Sequence, residues 1–321
     1  AVGIVFNDRN GDGQRQPSEP GVKGVAVSNG LDVVATDGKG RYSIPVQEGE
    51  TLFITKPAGW SVPSNRSNLP RFFYHHVPDG APSDRRPRYR GIPATGPLPE
   101  SIDFPLQRHS ESERFTSVWF ADTQPQSKDE VEFIRDDVVA ELIGNDAAFG
   151  ITLGDITYDD LSLYGRLTRN IGQIGVPWYH VPGNHDVNAL APSNAEAFDT
   201  FRRHFGPPYY SFDWARVHFV VLNTVTYEGT SLGSDEPDPL GKGPYRGEIG
   251  QRQLEWLAND LAQVGPDQLV VLAMHIPLRS ELDDEAPRIN VSDREQLFEI
   301  VEGRKHLLAV AGHMHLAEHS Y

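Results

Sequence analysis

The sequence predicts two units of different class: a small all-β sandwich over residues 1–110, then an α/β layered domain over residues 111–321. Three observations carry this reading. Up to about residue 110, short apolar runs alternate with Gly, Asp and Pro turn signals. From Phe115 onward, strand-like apolar runs alternate with segments of helical periodicity. The length of 321 residues suits two domains, each large enough to bury a core.

In the first unit the strand candidates are Val2-Gly3-Ile4-Val5-Phe6, Val25-Ala26-Val27, Val33-Val34-Ala35-Thr36, Thr51-Leu52-Phe53-Ile54-Thr55 and Ile102-Asp103-Phe104-Pro105-Leu106. Asp37-Gly38-Lys39-Gly40, Glu48-Gly49 and Pro57-Ala58-Gly59 supply turns between them. Strands at this spacing suggest a sandwich. The polar stretch Gln107 to Arg114 marks the boundary. In the second unit a helix over 128–144 places Val131, Ile134, Val138 and Leu142 on one face, opening on a Ser127/Glu130 capping box. Ser193/Glu196 and Ser292/Glu295 repeat that device ahead of Phe198-Phe201-Phe205 and Leu297-Phe298-Val301. A helix over 251–264 presents Leu254, Leu257 and Leu261. Trp119, Trp178, Trp214 and Trp256 fit core positions, and His180, His204, His218 and His306, outside any motif, read as structural.

Charge and composition narrow the function. Twenty-nine basic against forty-five acidic residues leave a formal charge of −16, the wrong sign for a nucleic-acid or anionic-membrane binder. No apolar run approaches the ~20 residues of a membrane span. The absence of Cys removes disulfide frameworks, thiolate metal sites and Cys nucleophiles together. The start at Ala1-Val2-Gly3 reads as a processed end and, with the missing Cys and a β-sandwich in front, predicts a periplasmic or secreted protein.

In the second unit each apolar run ends on a polar side chain able to bind a metal ion. Phe115–Ala121 leads into Asp122-Thr123-Gln124, Phe149–Leu153 into Gly154-Asp155, and Pro177–Val181 into Pro182-Gly183-Asn184-His185-Asp186. Leu269–Met274 leads into His275, and Leu307–Ala311 into Gly312-His313-Met314-His315. Open α/β sheets place ligand sites at these carboxyl ends. Asp122, Gln124, Asp155, Asn184, His275, His313 and His315 offer seven O and N donors, too many for one catalytic ion. Two ions sharing a carboxylate, ~3.5–4 Å apart, would use them all.

In these five blocks the chain resembles the calcineurin-like metallophosphoesterase superfamily, whose signature runs Asp-x-His, Gly-Asp, Gly-Asn-His-Asp/Glu, a lone His, and Gly-His-x-His. The resemblance implies a four-layer α/β/β/α domain. It implies that Asp122, position 124 and His315 hold one ion, that Asn184, His275 and His313 hold the other, and that Asp155 bridges. It further implies phosphate-monoester hydrolysis by a metal-bridging hydroxide, with His185 as general acid and Asp186 orienting its ring. Manganese, zinc or iron are the ions implied. A phosphodiesterase or nucleotide pyrophosphatase, and a non-catalytic surface module with a relic site, are the alternatives.

Gln124 departs from the pattern, which has His there. Gln is a neutral oxygen donor, so the first site either favours a harder ion such as Mn²⁺ or meets position 124 only through a bound water. Gly154-Asp155-x-x-Tyr158 is similar to the purple acid phosphatase block, in which the Tyr is an iron ligand; here Tyr158 reads rather as a pocket wall. A nearer likeness is to a bacterial branch with an immunoglobulin- or transthyretin-like β domain in front, carried by Phe73-Tyr74-His75-His76, Phe205-Gly206-Pro207-Pro208-Tyr209-Tyr210-Ser211-Phe212 and His275-Ile276-Pro277-Leu278. In that branch a further small domain comes after the catalytic one, so a C-terminal domain beyond Tyr321 is expected.

Two other features remain. Asp8, Asn10, Asp12, Gln14 and Glu19 fit the calcium-loop spacing, which predicts either a structural Ca²⁺ or an Asp/Asn/Gly turn without one. His75, His76, Arg85, Arg86, Arg88 and Arg90 form a local basic stretch, either a solvated face or an aid to admitting a phosphorylated substrate.

Overall fold

The computed structural model describes residues 1–81, 88–229, 244–282 and 286–319. In the N-terminal part, strand Val2–Asn7 lies between Arg41–Ser43, antiparallel, and Phe104–Arg108, parallel, with Trp60–Ser61 beyond. A second sheet orders Val33–Ala35, Ala26–Ser28, Thr51–Ile54 and Phe73–His75, all antiparallel. Val5, Leu106, Val27, Leu52 and Ile54 from the two sheets join one buried cluster. Thr51–Ile54 is buried at every residue rather than alternately. Its outward side is covered as well, with Phe53 meeting Trp256 of the second part edge-on at 6.1 Å.

The second part contains two sheets. Val118–Phe120, Gly150–Leu153 and Trp178–Val181 form a parallel sheet with Gly150–Leu153 central. Tyr210–Trp214 pairs antiparallel with Val217–Val221, and Leu269–Met274 and Leu307–Ala311 follow in parallel. An aromatic layer joins the sheets: Tyr179 stacks on Phe212 at 3.9 Å, and Phe149 meets Phe219 at 5.1 Å. Helix Lys128–Phe133 packs with Tyr164–Ile171, and Gln251–Leu261 packs with Arg294–Val301. The result is a mixed α/β fold of helix, sheet, sheet and helix, preceded by an all-β region. Among the described residues no helix is long and apolar enough to cross a membrane.

The two parts are joined through buried polar contacts. Lys56 pairs with Phe212 as a parallel bridge, and its ammonium lies 2.5 Å from Glu111 and 2.6 Å from the Asp213 carbonyl. Burying that charge is tolerable only because a carboxylate and a carbonyl meet it.

Several helix expectations need correction. The helix starting at Lys128 ends at Leu142, and Ile134–Val139 is a π-helical turn. The wider turn shifts the inward face by one residue, so Val139 is fully buried and Val138 is 42% exposed. Ser127 does accept from the Glu130 amide at 3.2 Å, but the Glu130 carboxylate reaches the Gln126 amide instead of returning to Ser127. Ser193 caps with its carbonyl alone, and Ser292 donates its hydroxyl to Gly247 while Asp293 occupies the cap position. The helix at Gln251 stops at Leu261.

Candidate metal centre

The parallel registers align the carboxyl ends of the strands, and the expected donors follow at once. Their backbone is unusual. Asp122, Gln124, Asp155, His313 and His315 all have left-handed φ angles, between 39° and 73°. An L-residue held there costs of order 1–3 kcal/mol, and such residues concentrate at functional sites. Two glycines make the close approach geometric. A Cβ at Gly183 would fall 2.2 Å from Asp155 Oδ1, and one at Gly312 would fall 2.7 Å from Asp122 Oδ2.

Two imidazoles, His275 buried and His313 half-buried, are tied from behind. His275 Nδ1 donates to the Leu153 carbonyl at 2.8 Å, and His313 Nε2 donates to the Arg288 carbonyl at 2.7 Å. Each tether fixes the tautomer and turns a lone pair inward. His275 Nε2 and His313 Nδ1 consequently face each other at 3.2 Å. Asn184 Oδ1 stands 3.0 Å and Asp155 Oδ1 3.2 Å from His275 Nε2. Among the described residues, Asp155, His275 and His313 are the group of three acidic or imidazole side chains whose ligand atoms lie within 4.8 Å of one another.

Four acceptors around one point repel unless positive charge sits among them. Without an ion, the His275 ring takes up that positive charge itself. Burial pushes His275 down, but Asp155 and Asp122 more than reverse this and raise it to about 9. His313 is driven down to about 4 by burial and by His275. The donor set, imidazole and oxygen without thiolate, fits a divalent cation such as Mn, Zn or Fe at that point.

The other half of the site adjoins it. Asp122 accepts the His313 amide at 3.0 Å through Oδ2, and His315 Nε2 lies 3.2 Å from its Oδ1. The His315 side chain is 56% exposed, so this half opens to solvent. Gln124 donates its Nε2 to Asp155 Oδ2 at 2.7 Å. In this orientation Gln124 is a donor to the shared carboxylate; ligation would need its Oε1 turned inward. All seven expected donors therefore gather around Asp155 and Asp122.

His185 differs from its expected environment in one respect. Asp186 does not orient it: the Asp186 carboxylate accepts from the Gly183 and Ile156 amides and the Tyr164 hydroxyl. Burial and the Asp155 carboxylate raise Asp186 to about 7, and its partners make it a lock for the turn. Asp159 takes the expected role, its Oδ1 2.8 Å from His185 Nδ1. Tyr158 stacks on the ring at 4.2 Å, a packing contact consistent with a wall rather than a ligand. Sequence reasoning missed Asp159. It lies in no motif, and the family resemblance assigns the role instead to Asp186, next to His185 in the chain.

The remaining candidates lie elsewhere. In the acidic loop, Asp8 accepts the Gly11 and Gly13 amides, Asn10 that of Asp12, Asp12 that of Gln14, and Glu19 those of Arg9 and Gln16. The loop closes on its own backbone. His75 does not belong to a basic stretch. It is half-buried between Thr51 and the Arg202 carbonyl, and desolvation with the Arg202 charge lowers it to about 3. Arg85 and Arg86 lie outside the described residues.

A cluster of imidazole and oxygen donors at parallel strand ends marks a candidate metal centre in an α/β fold. The chain belongs to the calcineurin-like phosphoesterase family, whose model matches residues 115–317, well over half of its length. A model for the N-terminal part of calcineurin-like phosphoesterases matches residues 9–88. Similar proteins include a probable cyclic nucleotide phosphodiesterase of Rhodococcus erythropolis, 36% identical over 23% of this chain and 24% of the relative. A serine/threonine-protein phosphatase of Pongo abelii is 35% identical over 37% of this chain and 34% of its own. The matches thus span a quarter to a third of these relatives. Among solved structures, a dimetal phosphatase from Danio rerio superposes with TM-score 0.45 at 17% identity, covering 63% of this chain and 82% of its own.

Proposed function

We propose that this phosphoesterase hydrolyses phosphate monoesters with two metal ions. Asp122, Gln124 and His315 would hold one, Asn184, His275 and His313 the other, with Asp155 shared. The observation that carries the reading is the convergence of His275 Nε2, His313 Nδ1, Asn184 Oδ1 and Asp155 Oδ1, each able to give a lone pair to a metal ion once His275 releases its proton. Bound ions would supply charge neutralisation at the phosphate oxygens and acidification of a water.

The chain's own part is to place a proton. With Nδ1 held by Asp159, His185 turns Nε2 toward the centre, 3.9 Å from Asp155 Oδ2. From there it can protonate a departing oxygen. The net charge of −16 supports a phosphorylated small molecule or protein as substrate over a nucleic acid.

The phosphatase relative supports monoesters; the Rhodococcus relative favours a second reading, diester cleavage. Turnover of p-nitrophenyl phosphate and of bis-p-nitrophenyl phosphate, with added Mn²⁺ or Zn²⁺ and again with chelator, separates them. Metal-dependent turnover preferring the monoester is expected. A preference for the diester supports the second reading, and no turnover of either contradicts both.

A further inference from the structure

We propose that Tyr89, in the N-terminal part between strands Phe73–His75 and Phe104–Arg108, is a positioning residue for His185 that acts through Asp159. The inference rests on the reading of His185 as proton donor. The Tyr89 hydroxyl donates to the Asp159 carbonyl at 2.9 Å and to Asp160 Oδ1 at 3.2 Å. The Tyr89 carbonyl accepts from Asn188 Nδ2 at 3.0 Å. One residue thereby grips both loops of the donor pair: the loop after Gly150–Leu153, which carries Asp159, and the loop after Trp178–Val181, which carries His185.

Asp159 needs such a grip for two reasons. Its φ of 60° is one that a non-glycine residue leaves when released. Among the described residues its carboxylate is fixed on one side only: Oδ1 meets His185, while Oδ2 is buried with no hydrogen-bond partner among them. The side chain therefore does not set its own direction, and the restraint comes from the main chain that Tyr89 holds. Burial and the Asp160 carboxylate push the Tyr89 phenol up to about 12, so it stays a donor across the working pH range.

Tyr89→Phe removes the hydroxyl and keeps the ring. The full-length enzyme loaded with Mn²⁺ is assayed on glycerol 2-phosphate, whose alkoxide needs a proton to leave, and on p-nitrophenyl phosphate, whose phenolate does not. The variant should keep the wild-type metal content and lose about three- to tenfold in kcat on the alkyl ester, the rate equivalent of one net hydrogen bond, with a smaller loss on the aryl ester. KM should move less than kcat. In an Asp159→Asn background the same change should add nothing, because both act through one carboxylate. Equal losses on the two esters, additivity in that background, or no loss on the alkyl ester would each overturn the assignment. His185→Ala is the separate control. If it also shows equal losses, the proton-donor reading fails; if its losses are unequal and those of Tyr89→Phe are not, only the role of Tyr89 falls.

Discussion

The carboxylate of Asp159 lies 2.8 Å from Nδ1 of His185, while Asp186, next to that histidine in the chain, is turned away onto two backbone amides and a tyrosine hydroxyl. The pairing divides the labour of two neighbouring carboxylates. One shapes the turn that carries Asn184; the other aims the ring beside it.

The pairing predicts a dependence on leaving group. Asp159→Asn should lose far more rate on an alkyl phosphate than on p-nitrophenyl phosphate, out of the roughly 10²–10⁴-fold that a general acid supplies where it is needed. Steady-state kinetics on the two esters check it, and Asp186→Asn should instead lower the thermal midpoint without that selectivity.

At position 124 the expected outcome concerns metal preference. Gln124→His replaces an amide that donates to Asp155 with an imidazole able to ligate. It should tighten the weaker of two binding steps and shift preference toward Zn²⁺. Calorimetric titration of metal-free protein with Mn²⁺ and Zn²⁺ would show an unchanged pair of isotherms if position 124 stands outside the coordination sphere.

A third outcome concerns stability and lies away from the site. The buried His218 ring donates to Asp213 at 2.7 Å and Asp260 at 2.8 Å, with the Ser211 hydroxyl also on Asp260. Burial opposes its charge, but the two carboxylates prevail and raise it to about 9. A raised folded-state value stabilises fully below the unfolded value of 6.5 and is lost as pH rises through about 9. His218→Gln should cost about 3–5 kcal/mol at pH 6, the range for stranding buried partners of an ion pair. Denaturant unfolding should show the gap to wild type closing between pH 7 and pH 10; a constant gap would remove the charge from His218.

The donors were legible because each comes directly after an apolar run, where a strand must end and a side chain emerge. Other features depended on facts that no local pattern carries. Val138 and Val139 exchange places because a π turn adds a residue to the helix. Thr51–Ile54 is buried on both sides because Trp256, two hundred residues on, covers it. Asp159 rather than Asp186 meets His185 because the Asp186 carboxylate is taken up by the Gly183 and Ile156 amides and the Tyr164 hydroxyl, contacts that only the folded loop creates. The sequence pattern marked which groups meet; loop conformation decided which atoms touch.

The shared carboxylate is the hinge of the proposed dimetal centre, and counting metal on Asp155→Ala tests it most directly. Wild type and His185→Ala, purified after loading with Mn²⁺ or Zn²⁺, should each carry two ions per chain by elemental analysis. Asp155→Ala, with its fold checked by circular dichroism, should carry neither and turn over no ester. Two ions at wild-type occupancy in Asp155→Ala would contradict a bridging role for this residue and the two-ion centre built on it.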